Sequence, residues 1–292
     1  GWCLMIGAGT LSGLAAFLCA EAIDEIFVGG KAPKAAGVAF PSGLATPVEG
    51  GYRVTGKWAF ASGIRHSQWL AFAAMVADGT PEPTQLVRVV MPTSEVQIHD
   101  NWHVVGLKGT GSCEFSVSDV FVPQRFTWGG AEAKPYRGGP NFLLGRPGMQ
   151  TTGHAGFALG VGRRALDEVT DLAQSKKRGY KGTQALIADR GSFQRFLGES
   201  DLRLRAAKAL CMETIEEAWD SVCQGITPPP TLQIRLRASG TYSTEEASDI
   251  VSQAFRFGGG TAMYNSHILQ KCLRDINAAA QHHMVSDRAY EN

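Results

Sequence analysis

The chain has 292 residues, enough to bury a large core or to form two modest domains. Hydrophobic residues make up 44% and charged residues 19%, which is typical of an ordered globular protein and argues against a disordered one. Lysine and arginine total 28 against 27 aspartate and glutamate, so no net field attracts nucleic acid or an anionic membrane surface.

The cysteines are spread along the whole chain and form no CxxC pair, and no group of histidines completes a zinc site. This spacing favours reduced thiols in a cytoplasmic protein and argues against a structural metal. The six positions are Cys3, Cys19, Cys113, Cys211, Cys223 and Cys272.

The first segment, residues 1–20, is uncharged and contains four glycines. It lacks the basic start of a signal peptide, and its glycines make it a weak spanning helix. We therefore predict a helix buried between neighbours that continues to a stop at Gly29-Gly30. A chain that opens into apolar sequence without a methionine is expected to begin inside a domain.

Short β-rich runs follow between Gly37 and Arg125, separated by turn residues, and Pro123 closes the last of them. Strands at this spacing predict a compact antiparallel sandwich or barrel. The predicted strands are 37–40, 51–61, 68–76, 85–91 and 114–122.

The remainder of the chain is predicted to be helical after a Gly- and Pro-rich linker over 127–149. Apolar residues recur at helical spacing in four stretches, and Pro228-Pro229-Pro230 interrupts them once. Four helices with short connections predict a bundle. The predicted helices are 151–177, 183–224, 231–257 and 266 to about 289.

The first candidate site is the strand after the turn at Gly50-Gly51. Because side chains alternate along a strand, Trp58, Phe60 and Ser62 are expected to share a face with Tyr52 and Val54. This face offers aromatic surface and a hydroxyl to a flat ligand, and Gly63 allows close approach. The alternative is an aromatic core face with Ser62 in a turn.

The second candidate is Gly106–Ser112, in which glycines alternate with hydroxyl residues and expose backbone N–H groups. Such a loop suits a ring carbonyl or a phosphate. It fits neither a Walker motif nor a dinucleotide-binding fingerprint, because Lys108 precedes the glycines and no strand-turn-helix pattern surrounds it. A tight β-loop is the alternative.

The third candidate is in the C-terminal region, where Phe255-Arg256-Phe257 precedes Gly258-Gly259-Gly260 and a histidine pair, His282-His283, follows. The glycines indicate close backbone approach or an anion site. On one long helix Asp275, Ala278 and His282 would share a stripe, and a histidine is able to act as acid or base near neutral pH. The alternatives are a histidine at the surface or core edge and a structural Arg274–Asp275 ion pair. Serine hydrolysis is not favoured, because no GxSxG is present.

Taken in order, these motifs resemble the acyl-CoA dehydrogenase superfold over nearly the whole chain. The closer resemblance is to its flavin-dependent monooxygenase branch, which includes the oxygenase components of two-component aromatic hydroxylases and related sulfur-oxidising enzymes. The resemblance implies an α+β protein with three parts, of which the first is only partial. These are a remnant of the N-terminal helical domain (1–32), a central antiparallel β domain (33–130) and a C-terminal four-helix bundle (131–292). The motifs are Gly56–Gly63, Gly106–Ser112 leading to Asp119–Pro123, Phe257–Gly260, and Leu273-Arg274-Asp275 with Gln281-His282.

The resemblance also implies where a flavin would bind. Ser62 occupies the position of the family's hydroxyl at flavin N5, and Trp58 and Phe60 would line the isoalloxazine ring beside Gly63. The loop residues Thr110, Gly111 and Ser112 would lie next to it. The remaining contacts, to the flavin phosphate, would come from Lys177 or Arg178, from Arg256 and from the turn at Gly258 and Gly259.

His282 matches the histidine that the monooxygenases keep near flavin C4a, where oxygen adds, and His283 is the adjacent alternative. Its expected role is to stabilise the peroxyflavin or to take a proton from the substrate. The dehydrogenases instead need a glutamate, at one of two places that here hold His282-His283 and Lys177-Arg178-Gly179. Neither is acidic, which favours a monooxygenase. The alternatives are an acyl-CoA dehydrogenase or oxidase with a displaced base, and a non-catalytic family member.

The implied protein is a cytoplasmic homotetramer that takes reduced FMN or FAD from a separate flavin reductase. It would use O2 to hydroxylate a small aromatic or heteroaromatic substrate, without a metal, nucleic acid or membrane partner. Two departures from the family pattern are visible. Residues 1–30 contain no histidine, and Cys113-Glu114 replaces the usual His-Asp after the glycine loop.

Overall fold

The structure is a computed structural model that describes residues 1–129 and 133–291, and it is an α+β protein. The chain divides into two compact units, Gly1–Val104 with Lys108–Gly139 and Val105–Leu107 with Pro140–Asn292. The domain boundary that the sequence predicts between residues 130 and 131 lies outside the described residues. The division into three domains stays a prediction.

The first unit begins with two helices, α1 (Trp2–Phe17) and α2 (Ala20–Ile26), where the sequence predicted one. The helix is interrupted at Leu18 and Cys19, because both residues have extended backbone conformations. Leu18 joins the core of the sheet, and α1 buries Leu14 and Ala16 while Leu4 is 77% exposed, so within this chain α1 is covered on one side. Within residues 1–129 and 133–291, no helix has the length and hydropathy of a membrane-spanning segment.

Eight strands of this unit form one sheet in the spatial order β6-β7-β3-β2-β4-β5-β8, with β1 paired to β4. The strand bounds are β1 (Ala35–Val38), β2 (Gly43–Val48), β3 (Gly51–Trp58), β4 (Trp69–Val76), β5 (Leu86–Pro92), β6 (Gln97–Ile98), β7 (Phe115–Pro123) and β8 (Thr127–Gly129). The predicted antiparallel pairing holds for most neighbouring strands, but β1 and β2 both run parallel to β4. The sequence also missed β2, since Pro47 and weak alternation hide it.

The core of the sheet is organised around the indole of Trp58, which has no exposed surface. Its ring stacks on Phe115 at 5.3 Å between centroids and lies 4.5 Å from Phe72. A Cβ at either member of the paired glycines Gly43 and Gly56 would overlap the indole, so this glycine pair makes room for the ring. β3 therefore ends at a buried aromatic cluster.

The second unit is mainly helical. Its helices are α3 (Gly145–Ser175), α4 (Gly191–Cys223), α5 (Pro230–Gly258) and α6 (Ile268–Ala279), and a short hairpin pairs β9 (Lys177–Arg178) with β10 (Ala185–Leu186). Four helices appear in the predicted order, and α5 begins at Pro230, where a proline at the first helical position is well tolerated. α5 packs against each of the other three helices.

The predicted linker over 127–149 is wrong at both ends, because it contains β8 and the start of α3 at Gly145, six residues before the predicted helix start. Two further helix bounds differ from the structure for local reasons. The predicted start at 183 is replaced by the hairpin, and α4 begins only at Gly191. The last helix stops at Ala279 and not near residue 289, because the chain then forms a series of tight turns from Ala280 to Val285. The histidine pair therefore lies beyond α6, not on it.

Candidate active site

The first unit brings three hydroxyl side chains together from two distant segments. β3 ends at Trp58, and the chain then turns through Phe60 with φ +64° and Gly63 with φ +83°. The Gly63 amide donates to the Thr110 carbonyl at 2.8 Å, which ties this turn to the loop before β7. Positive φ is unusual for a bulky residue such as Phe60, so the turn is held in a constrained conformation.

The three hydroxyls form a buried chain. Ser62 Oγ lies 2.8 Å from Ser112 Oγ, which lies 2.6 Å from Thr110 Oγ1. All three residues are buried, and Ser62 is only 8% exposed. The indole Nε1 of Trp2 donates to Ser62 Oγ at 3.2 Å. Because hydroxyls both donate and accept, this chain is able to present either a donor or an acceptor at its Ser62 end.

The two aromatics predicted to share the Ser62 face occupy opposite environments. Trp58 lies in the core with its Nε1 donating to the Ala73 carbonyl at 2.7 Å, so it offers no face to a ligand. Phe60 is 71% exposed and makes an edge contact with Trp102 at 6.1 Å. The alternation predicted through residue 62 fails because the strand ends at Trp58 and Phe60 has a positive φ.

The predicted loop Gly106–Ser112 is divided between the two units. Thr110 and Ser112 belong to the hydroxyl chain, with Gly111 between them at φ +51°, whereas Gly106 and Leu107 belong to the helical unit. A Cβ at Gly106 would overlap the carbonyl of Arg274 on α6. Only glycine permits this backbone contact.

The predicted Arg274–Asp275 ion pair is replaced by bonds from both residues to the 105–107 backbone. Asp275 Oδ1 accepts from the Leu107 amide at 2.6 Å, and Arg274 Nη1 donates to the Val105 carbonyl at 3.2 Å. A carboxylate bonded to a backbone amide is a charge-assisted contact, stronger than a neutral one. The motif therefore anchors a loop to α6.

In the helical unit, basic side chains surround the turn at Gly258 and Gly259. Lys176 Nζ donates to the Gly258 carbonyl at 2.6 Å and to Thr261 Oγ1 at 2.5 Å. Arg178 donates to the Arg256 carbonyl at 3.4 Å, and a Cβ at Gly259 would overlap its guanidinium. The structure thus brings Arg178 to the predicted glycine turn, where Gly259 has φ +55°.

The other predicted cations lie at the surface of this region. Lys177 is exposed on β9, and Arg256 is exposed in the last turn of α5. The sequence did not single out Lys176, although it adjoins the predicted pair. Burial and the charge of Arg178 lower the pKa of Lys176, which indicates a crowded, basic environment.

Three imidazoles meet at the other end of the helical unit. His282 lies 4.4 Å from His154 and 4.5 Å from His283 between ring centroids. His154 belongs to α3 and is 4% exposed, whereas His283 is exposed. Among the described residues no set of three or more His, Cys, Asp or Glu side chains is arranged to hold a metal ion.

The electrostatic environment keeps these imidazoles neutral. Burial, followed by the neighbouring imidazoles of His154 and His283, lowers the pKa of His282 to about 3. Burial and then His283 lower the pKa of His154 to about 4. For His283, whose ring is only partly shielded from water, the pKa is lowered by this partial desolvation and by the charges of Arg146 and Arg237. Near neutral pH the cluster therefore consists of uncharged rings.

One hydrogen bond fixes the tautomer of His282. The Met284 amide donates to His282 Nδ1 at 3.3 Å, so Nδ1 carries no proton. The proton of the neutral ring is then on Nε2, because a neutral imidazole has one donor and one acceptor nitrogen. His282 is therefore a hydrogen-bond donor at Nε2 in its resting state.

Sequence reasoning missed His154, Trp2 and Lys176. One signal for His154 was present: together with Thr151, Ala155 and Ala158 it falls on the buried stripe of α3, where a histidine is unusual. Nothing in the linear sequence connects it to His282, which lies 128 residues further on. Trp2 likewise bonds a residue 60 positions away.

The sequence profile of the acyl-CoA dehydrogenase C-terminal domain matches residues 152–287. Indole-3-acetate monooxygenase of Pseudomonas putida is 32% identical over 295 residues, an alignment that covers all of this chain and 74% of the relative. The oxygenase component of the FADH2-dependent resorcinol hydroxylase of Rhizobium sp. strain MTP-10005 is 30% identical, over 83% of this chain and 63% of the relative.

Among solved structures, that of XiaF from Streptomyces sp., in complex with FADH2 and glycerol, is similar with a TM-score of 0.86. It is 26% identical, and the match covers 99% of this chain and 74% of XiaF. The similarity thus extends over almost every residue described above.

Proposed function

Because the chain belongs to the flavin-dependent monooxygenase branch of the acyl-CoA dehydrogenase superfold, we propose that it is the oxygenase component of a two-component aromatic hydroxylase. It uses reduced flavin and O2 to hydroxylate an aromatic or heteroaromatic substrate. The observation that carries this proposal is the neutral His282, bonded at Nδ1 and protonated at Nε2, where a dehydrogenase of this superfold would need a carboxylate base.

The residues present fit a flavin. Its ring has polar edges that both donate and accept, and the buried Ser62–Ser112–Thr110 chain presents a hydroxyl able to do either. Its phosphate requires cations, which Lys177 and Arg178 supply beside the Gly258-Gly259 turn. The buried Trp58 is better suited to fill the core of the sheet than to contact the ring.

Reduced flavin, when bound, supplies two electrons to O2, so that one oxygen atom enters the substrate and the other leaves as water. The protein's share is to orient the ring and the substrate and to exclude bulk water. Ser62 holds the ring through its hydroxyl. His282 donates a hydrogen bond from Nε2 to an oxygen atom that gains negative charge, which is a stabilising role.

Two roles are expected for His282, and its hydrogen bond at Nδ1 supports one of them. To act as a base from its observed orientation, the ring would have to give up the bond between Nδ1 and the Met284 amide. Donation from Nε2 requires no such loss. We therefore assign His282 as the donor, with His283 as the neighbouring imidazole that raises the cost of its protonation.

We propose that the wider assembly also has the organisation of the family. We propose that α3 to α6 form the four-helix bundle of the superfold, that residues 33–130 form its β domain, and that residues 1–32 are part of its N-terminal helical domain. A separate flavin reductase supplies FMN or FAD in reduced form, and the oxygenase works as a cytoplasmic homotetramer. The domain layout is supported by the alignment of indole-3-acetate monooxygenase of Pseudomonas putida over all of this chain and of XiaF over 99% of it.

The test compares two variants that differ in which imidazole nitrogen they imitate. The glutamine amide of His282→Gln lies near the Nε2 position, whereas that of His282→Asn reaches only the Nδ1 position. Each is assayed with a flavin reductase, with FMN or FAD, and with an aromatic panel that includes indole-3-acetate and resorcinol. Hydroxylated product and hydrogen peroxide are both quantified.

We expect His282→Asn to lose about 10²-fold in product formation, the usual effect of removing a donor to developing charge, while His282→Gln retains more. Oxygen consumption that no longer yields product should appear as hydrogen peroxide. Equal product from both variants and the unmodified protein would remove His282 from the reaction. Bleaching of bound oxidised flavin by an acyl-CoA, without hydroxylation of any aromatic, would instead support a dehydrogenase.

A further inference from the structure

A buried imidazole on α3 lies against the proposed donor. His154 is 4% exposed, and its ring lies 4.4 Å from that of His282 at an angle of 33°. On its helix, His154 follows the buried Thr151 and precedes the buried Ala158. Small residues on this stripe leave room for a ring. The imidazole of His154 therefore fills a core position whose outer neighbour is His282.

The segment that carries His282 has little regular structure to hold its side chain. α6 ends at Ala279, and the following turns are joined by single bonds such as that from the His282 amide to the Ala279 carbonyl at 3.0 Å. The ring itself is held by the Met284 amide at Nδ1, at a long distance of 3.3 Å. The His154 ring packs against the His282 ring and supplies a further constraint on its orientation.

The charged groups around the three imidazoles disfavour protonation of the rings. Arg146 on α3 and Arg237 on α5 both lower the pKa of His283 through their positive charges. Arg237 also donates to the His283 carbonyl at 2.8 Å, so it is fixed beside the cluster. With these guanidiniums and the other imidazoles as neighbours, a proton added to any ring meets repulsion. A neutral His154 is therefore compatible with a role in packing.

We propose that His154 is a positioning residue that holds the His282 ring in the orientation with Nδ1 on the Met284 amide and the proton on Nε2. The proposal deepens the proposed function and rests on it for its catalytic meaning. The positioning itself concerns only residues of this chain, and it can be measured on the protein without flavin.

The experiment is ¹⁵N and ¹H NMR of histidine-labelled, flavin-free protein, in which the two ring-nitrogen shifts of each histidine report its tautomer. Three variants are compared: His154→Ala removes the ring, His154→Phe keeps a ring without its nitrogens, and Thr152→Ala alters the exposed side of the same helix. Loss of the His282 signal in His282→Gln assigns it. Thermal unfolding confirms that each variant is folded.

We expect His282 to be fixed as the Nε2-protonated tautomer in the unmodified protein, in Thr152→Ala and in His154→Phe. In His154→Ala the ring should exchange between tautomers, and its titration midpoint should rise towards the ordinary histidine value. An unchanged His282 tautomer and midpoint in a folded His154→Ala would overturn the proposal. If that variant does not fold, a mixed His282 tautomer in the folded His154→Phe would overturn it equally.

Activity gives a separate readout. With reductase and substrate, His154→Ala should shift oxygen use from product to hydrogen peroxide, and His154→Phe should restore part of the product. If the unmodified protein hydroxylates no aromatic, the proposed function fails, while the NMR result still decides whether His154 positions His282.

Discussion

The indole of Trp2 and the hydroxyl of Ser62 are joined by a buried hydrogen bond of 3.2 Å, with the indole N–H as donor. This bond occupies one acceptor position of Ser62 Oγ. The Ser62 proton is then directed either along the chain to Ser112 or outward to a ligand. A residue of α1 thus restricts what the hydroxyl chain presents at the proposed flavin position.

Replacing Trp2 by phenylalanine tests this restriction. Trp2→Phe keeps an aromatic ring but removes the donor, so we expect a loss of about 1 kcal/mol in the free energy of unfolding. Flavin binding should weaken several-fold, because Ser62 is no longer oriented. Urea unfolding and flavin titration measure the two effects. Trp219→Phe, at an exposed position of α4, is the control, and equal flavin affinity in both variants would contradict the assignment.

The second prediction is that Trp58 contributes to stability and Phe60 to flavin binding. Trp58→Phe removes the bond from Nε1 to the Ala73 carbonyl and leaves a buried acceptor, which costs about 1–3 kcal/mol of stability. Its effect on flavin affinity should be small once the variant is folded, because Trp58 has no exposed surface. Phe60→Ala should behave in the opposite way, with near-normal stability and weaker flavin binding. Calorimetry and flavin titration check both, and a specific affinity loss in Trp58→Phe would restore it to the site.

Periodicity in the sequence predicted which residues of β3 share a face, but not where the strand would end. Trp58 and Ser62 were expected on one side together, and the positive φ of Phe60 breaks that relation. The turn depends on its bond to the Thr110 carbonyl, which comes from a segment about 50 residues away. Local pattern therefore identified the correct stretches, while tertiary contact decided their orientation.

The helical half shows the same limit. The four helices were predictable because each has a long apolar repeat, and Pro230 marks the start of one. The end of α6 at Ala279 was not, since residues 280–285 carry no proline or glycine to signal a turn. His282 was proposed by resemblance. Its partner His154 emerges only when α3 packs beside the turn.

The third prediction concerns two adjacent lysines. Lys176→Met removes bonds to the Gly258 carbonyl and to Thr261 Oγ1, whereas Lys177→Met changes an exposed side chain on β9. We expect Lys176→Met to lower the free energy of unfolding by about 1–3 kcal/mol, because polar atoms of the turn lose their charged partner. Lys177→Met should leave stability nearly unchanged and reduce flavin affinity at low salt. Comparable destabilisation by Lys176→Met and Lys177→Met would contradict a structural role that belongs to Lys176 alone.

The fourth prediction is a pH dependence of stability that arises from buried, neutral histidines. The pKa values of His154 and His282, about 4 and about 3 in the folded protein, lie below the ordinary value of 6.5. Between about pH 3 and pH 6.5 the unfolded chain therefore binds more protons than the folded one. The stability present above pH 6.5 is lost progressively as the pH falls, and the loss levels off below the folded pKa values.

Urea unfolding between pH 7.5 and pH 5 measures this slope. A single histidine that is charged only in the unfolded state contributes about 1.4 kcal/mol per pH unit once the pH is well below 6.5. His154→Phe removes one such group, so its stability should fall less steeply with decreasing pH than that of the unmodified protein. The two curves should differ by a constant amount above pH 7, where the histidine is neutral in both states. Parallel curves down to pH 5 would mean that His154 takes up a proton in the folded protein as readily as in the unfolded chain. The His282 ring would then have a charged neighbour, and the neutral cluster proposed here would be wrong.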